Sequence, residues 1–209
     1  MSVSHPARIS SIEELEAVYG PPLARSLDKE LDHISDFYRA FIERAPFLVL
    51  ATVGPEGTDC SPRGDPPGFV RVADRRTVML PDRRGNNRID SLRNIVRDPR
   101  VSLLFLVPGV GETLRINGTA EIVTDAALCE SFAMGEKAPR SVIVVTVGSV
   151  YYQCQKALVR SKLWDPASIV PRHELPSAGQ MLQSMLDVPG FSGDEYDRNY
   201  PEHMKKTIY

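Results

Sequence analysis

Residues 78–105, VMLPDRRGNNRIDSLRNIVRDPRVSLLF, decide the fold. An apolar run ends at Leu80, and a polar loop carrying arginines follows over 81–87. Ile89, Leu92, Ile95 and Val96 then recur at a spacing that places them on one face of a short helix. Asp98-Pro99 ends it, because the residue before a proline is pushed out of the helical conformation. A second apolar run opens at Val101. Gly85-Asn86-Asn87, just ahead of the helix, fits an N-cap. The first N–H groups of a helix lack partners and sit at the positive end of its dipole, so anions collect there. Arg83, Arg84 and Arg88 crowd that end. Strand, loop and helix together predict a phosphate-binding turn.

The charge pattern around this unit points the same way. The 209-residue chain is nearly neutral, with 25 basic and 27 acidic residues. Ten of its arginines nevertheless fall between Arg63 and Arg100, with no lysine among them. Arginine's planar fork grips phosphate oxygens in pairs, as lysine's point charge does not. For any one of them the plain alternative is a solvated surface charge paired with Asp65, Asp74, Asp82, Asp90 or Asp98. A net charge of −2 argues against a general nucleic-acid binder.

Composition narrows the chemistry further. Hydrophobic residues make up 42% of the chain, enough for a full core. Cys60, Cys129 and Cys154 are odd in number and contain no CxxC pair, which argues against a disulfide framework or zinc ribbon. Cys60 and Cys154 are expected to be small buried residues. The opening MSVSHPARIS has no apolar signal core, and no apolar run reaches membrane-spanning length, so the expected location is cytoplasmic. His5, His33, His173 and His203 all lie outside residues 34–172. The centre of the chain therefore offers no imidazole for base catalysis, zinc or haem. A large core and an anion site without acid–base apparatus suit a protein whose chemistry comes from a cofactor.

Along the chain, 11–18 and 27–43 read as helices, the second from Leu27, Leu31, Ile34, Tyr38, Phe41 and Ile42 at helical spacing. Strands are expected at 47–53, 59–63, 69–72, 77–80, 101–107, 113–123 and 142–147, with a helix at 125–133 and another at 151–163. Many short strands with few intervening helices predict a small closed barrel, mainly β with peripheral helices (α+β). Asn117-Gly118 reads either as a two-residue hairpin or as a bulge in one long strand. After Trp164 five prolines punctuate a polar tail with one expected helix, 178–186. Its stripe of Met181, Leu182, Met185 and Leu186 calls for burial against the barrel or a partner subunit. The expected division is 1–45 helical, 46–164 barrel and 165–209 tail.

In order, the segments 47–53, Cys60-Ser61-Pro62-Arg63-Gly64-Asp65, 80–94, ETLRING (112–118) and CQKALVRSKLW (154–164) resemble the pyridoxamine 5′-phosphate oxidase-like superfamily, whose members bind FMN on a split β-barrel. The resemblance spans roughly residues 31–164 and is nearest to the branch of FMN-dependent enzymes of unassigned substrate. It implies that Ser61, Arg63 and Asp65 lie beside the flavin ring and ribityl chain. Leu80 and Pro81 match the segment whose backbone faces the isoalloxazine. Asn86, Asn87 and Arg88 match the phosphate turn, normally Ser-Arg-Lys. Thr113 stands where a flavin-contacting Gln is usual. Gln155, Lys156 and Trp164 match a late segment that reaches the flavin, often across a dimer interface.

Several of these residues have plainer roles open to them. Asn87 with Asp90 can be a helix cap alone. Asp65 can initiate the turn before Pro66-Pro67. Lys156 and Arg160 can form a solvated helical face. Trp164 can be a core or interface anchor.

The expected function is an FMN-dependent oxidoreductase, homodimeric, acting on a small-molecule substrate or a nicotinamide donor, with no metal, nucleic-acid or membrane partner and no nominated catalytic acid or base. The alternatives are a flavin-binding or sensing protein with little turnover, or a split barrel holding a deazaflavin or haem. The Arg-x-His substrate signature of true pyridoxamine-phosphate oxidases is not found after Trp164, and Arg172-His173 in a proline-flanked tail is a poor substitute.

Overall fold

The computed structural model describes residues 8–209. Helix α1 (Ile12–Tyr19) begins at Ser11, whose hydroxyl accepts from the Glu14 N–H at 3.1 Å. The single helix expected over 27–43 is instead two, α2 (Ala24–Asp28) and α3 (Asp36–Arg44). Between them Leu31 exchanges two backbone hydrogen bonds with Val150, at 3.0 and 2.8 Å. Ser35 then caps α3 by accepting from the Tyr38 N–H. Leu31, Ile34 and Ile42 all face the core, so their spacing mimics one helix. A strand edge that would otherwise expose its backbone takes Leu31 out of it.

Seven strands form one antiparallel sheet: β1 (Phe47–Gly54), β2 (Gly57–Gly64), β3 (Arg71–Asp74), β4 (Thr77–Pro81), β5 (Arg100–Leu106), β6 (Thr113–Val123) and β7 (Val142–Gln153). Their spatial order is β2-β1-β5-β6-β7-β4-β3. Helix α4 (Asp90–Arg97) links β4 to β5, and α5 (Ala126–Ser131), capped by Asp125, links β6 to β7. Inward residues alternate along the strands, as in Leu48, Leu50 and Thr52 of β1 or Val101, Leu103 and Phe105 of β5. They meet Ile42, Val78, Leu80, Ile116 and Val150 in one continuous core. Strand β3 starts two residues later than expected, because Phe69 and Val70 are buried in the preceding turn.

Asn117-Gly118 is a bulge within one long β6: the register against β7 shifts between these two residues. A Cβ on Gly118 would lie 2.0 Å from the Thr146 carbonyl oxygen, so only glycine fits. On α4 the buried positions are Ser91 and Ile95; Val96 is exposed and does not share the inward face expected of it.

Strand β7 runs on to Gln153, which shortens the helix expected over 151–163 to α6 (Lys156–Ser161). The tail carries two helices where one was expected, α7 (Ala178–Met185) and α8 (Gly193–Thr207). Pro201 reads as a breaker in the sequence, yet α8 continues through it. The two helices touch where Gly179 meets Gly193, a Cβ on the former falling 2.1 Å from the latter's carbonyl oxygen. Asp197 fastens the pair, accepting from the Gly179 N–H at 2.8 Å and from the Ser177 hydroxyl. Met181, Met185 and Leu186 remain exposed, so the barrel does not cover the stripe. No helix among the described residues is long and apolar enough to cross a membrane.

Candidate functional site

Strand β2, at one end of the sheet order, and the end of β4, next to last at the other, face each other across a seam, and a cleft of about 1020 Å³ opens there. Its walls come from β2 (residues 59–64), the loop and helix start at 81–92, the 136–140 turn and Tyr209. Two ion pairs fix the seam. Arg63 Nη1 donates to Asp82 Oδ1 at 2.6 Å, with each side chain 19% exposed. Arg83 Nε donates to Asp65 Oδ2 at 2.6 Å, and its Nη1 to the Phe132 carbonyl at 2.7 Å. The Arg63 Nε–H is buried and has no partner among the described residues. A buried unpaired donor costs about 1–3 kcal/mol, which an anion accepting from it would relieve.

The start of α4 presents a second unmet demand. Asn87 does not cap the helix; the cap position is Ile89, which has φ 52°, no polar side chain and no side-chain cap bond. Asn86 Oδ1 instead accepts from the Arg88 N–H at 3.0 Å, and Asn87 also has positive φ, 60°. A β-branched residue held left-handed is a true outlier, of a kind that clusters at ligand sites and costs about 1–3 kcal/mol. No side chain among the described residues caps the first-turn N–H groups, and the residues bearing them line the cleft. Partnerless Arg63 Nε–H and the open start of α4 together fit a phosphate group.

Acidic groups temper the field. Six basic and four acidic residues line the cleft. Asp59 accepts from the buried Ser91 hydroxyl at 3.2 Å, and Arg88, 76% exposed, pairs with Asp90 at 2.8 Å. Arg88 therefore stands at the rim, whereas Arg63 is inside.

Of the residues expected at the site, the cleft gathers Ser61, Arg63, Pro81, Asn86, Asn87 and Arg88. Asp65 lies just behind its wall, holding Arg83. The Leu80 side chain points into the core and is fully buried. Thr113, Gln155, Lys156 and Trp164 are not brought to the cleft of their own chain. Three of them gather elsewhere, around the β5–β6 turn. Trp164 Nε1 donates to the Val110 carbonyl at 2.8 Å, Gln155 packs against Gly111, and Thr113 is buried at the head of β6. Lys156 opens α6 and is exposed. Cys60 and Cys154 are exposed, against the expectation that they pack as small buried residues; Cys60 lines the cleft. Arg172 spends its guanidinium on the Leu175 and Pro176 carbonyls, away from the cleft. Sequence reasoning missed Asp59, the 136–140 turn and Tyr209. None carries a local signal, since only the fold brings them to the cleft.

The family model described as pyridoxamine 5′-phosphate oxidase matches residues 34–154, more than half of the chain. The chain belongs to that family, and its sheet is the family's split barrel. Among solved structures it is similar to HupZ of Group A Streptococcus, at 24% identity and TM-score 0.47, over 58% of this chain and 94% of that one. A putative pyridoxamine 5′-phosphate oxidase from Lactobacillus delbrueckii aligns at 20% identity and TM-score 0.46, over 59% and 98% of the two chains. An F420 reductase aligns at 18% identity and TM-score 0.42, over 57% and 98%. No curated protein matches the chain.

Proposed function

We propose that the chain is an FMN-dependent oxidoreductase, acting as a homodimer and taking reducing equivalents from a nicotinamide donor. One observation carries this: the partnerless Arg63 Nε–H and the uncapped start of α4 converge on a single cleft. Membership of the family supports a flavin there. When bound, the flavin supplies the hydride chemistry. The protein's residues bind and orient it. Arg63 and the α4 N–H groups hold the phosphate. Asp82 and Asp65 lock the rotamers of Arg63 and Arg83, so little side-chain freedom is lost on binding. No histidine lies between residues 34 and 172, and hydride transfer needs alignment more than a proton carrier.

The dimer rests on two surfaces. The outer face of the sheet carries half-buried Val49 and Ala51 of β1 beside Leu104 and Leu106 of β5. The exposed methionines of α7 add a second apolar area. In this reading the group around Thr113, Gln155 and Trp164 completes the cleft of a second copy.

The deciding experiment is the absorption spectrum of freshly purified protein, with mass identification of any ligand released on denaturation. FMN supports the proposal, whereas a deazaflavin or haem replaces it with the corresponding alternative. Titration then compares FMN with riboflavin. Charge-assisted bonds to phosphate are worth roughly 1.5–3 kcal/mol each, so FMN should bind at least about tenfold tighter. Equal affinities would sink the phosphate assignment. Rapid mixing with NADPH or NADH should bleach the flavin, and turnover of pyridoxine or pyridoxamine phosphate should be marginal. Failure of every donor leaves a binding protein without turnover.

A further inference from the structure

The tail helices α7 and α8 hold each other through Gly179, Gly193 and Asp197, but their attachment to the barrel is narrow. Among the described residues, the only hydrogen bonds joining residues 170–209 to the rest of the chain are made by Tyr209. Its phenol donates to Asp65 Oδ1 at 2.7 Å, across 144 residues of sequence. Its backbone oxygen accepts from Lys137 Nζ at 3.0 Å. Its ring centre lies 5.7 Å from the Arg83 guanidinium carbon. Asp65, only 2% exposed at its side chain, thus holds Arg83 with one oxygen and Tyr209 with the other. Tyr209 also lines the cleft itself.

We propose that Tyr209 is a latch: it closes the tail over the cofactor cleft at the Asp65–Arg83 pair, forms part of the cleft wall, and slows the escape of bound FMN. This rests on the flavin reading above. The same phenol that completes the hydrogen bonding of Asp65 fastens the whole α7–α8 unit. Opening the tail therefore breaks a charge-assisted bond and uncovers the cleft wall in one event. Occupancy of the cleft and docking of the tail are then linked, each favouring the other.

The test uses full-length protein loaded with FMN, as wild type, Tyr209→Phe and Tyr209→Ala. FMN dissociation is followed by recovery of its fluorescence on dilution. Trypsin cleavage after Lys205 and Lys206 of the FMN-free protein reports tail opening, and far-UV circular dichroism confirms folding. Tyr209→Phe keeps the ring, so it remains informative if Tyr209→Ala folds poorly. The expected result is FMN release about tenfold or more faster in Tyr209→Ala, an intermediate rate in Tyr209→Phe, and faster tail cleavage in both. Equal release rates in all three proteins overturn the latch and leave the flavin reading intact, whatever the cleavage shows. Tighter retention of FMN by the variants also overturns it, since Tyr209 would then be blocking the cleft. Failure of wild-type protein to bind FMN removes the flavin reading and the latch together.

Discussion

Arg63 on β2 and Asp82 just beyond β4 are joined at 2.6 Å across the open seam of the sheet, while the Arg63 Nε–H beside that bond has no partner among the described residues. One guanidinium thus holds the barrel's seam with one nitrogen and offers another to a ligand.

Replacing Arg63 with alanine should have two separable effects. It strands Asp82, so stability should fall by about 1–3 kcal/mol in denaturant unfolding. FMN affinity should fall at least about tenfold in a fluorescence titration. Adding Asp82→Asn should recover much of the stability but none of the affinity; recovery of both would make Arg63 purely a clasp. Arg76→Ala removes only an exposed pairing with Asp32 and should change either quantity little.

Gly118→Ala should destabilise the protein by about 3 kcal/mol or more, beyond ordinary overpacking, because the new Cβ meets backbone rather than a movable side chain. Thermal unfolding measures this. A change under 1 kcal/mol would mean that the bulge can slide.

Asp98 should titrate far below the ordinary aspartate value. The Arg100 side chain makes three bonds to its two oxygens, the Arg100 N–H adds a fourth, and the carboxyl pKa is held at about 2 against an ordinary 3.8. With the folded value depressed, this pairing contributes stability above about pH 3.8 and loses it as pH falls toward 2. Carboxyl-carbon NMR should place the Asp98 midpoint near 2 in wild type and raise it only part of the way to the ordinary value in Arg100→Gln, which keeps the backbone N–H bond.

Sedimentation at micromolar concentration should show a dimer. Leu104→Asp, on the half-buried outer face of β5, should shift it toward monomer and loosen FMN. A wild-type monomer that holds FMN would refute the interface.

The strands were legible because their apolar alternation answers to one buried face, and the arginine loop because its polarity interrupts two such runs. The helix over 27–43 was misread since Leu31 and Ile34 face the core from a non-helical segment, and burial alone sets a spacing that a helix also satisfies. The Asn87 cap was misread for a subtler reason. Local propensity favours it, yet the fold places Ile89 there in a left-handed conformation and leaves the helix start open. Tyr209 was invisible, because its partners Asp65 and Lys137 are remote in sequence.

Arg63 and Asp82 are 19 residues apart, but the sheet joins them the long way round, through the five strand pairings from β2 to β4. Four of those pairings need residues from 100 onward, and the last two need β7. Non-local pairings of this kind are slow, since each must first overcome loop-closure entropy. The seam is accordingly expected to close after those pairings have formed. In the proposed reading, a chain emerging from the ribosome completes the place for a nucleotide only once β7 has been made, so capture of the cofactor follows the folding of the sheet and cannot guide its beginning.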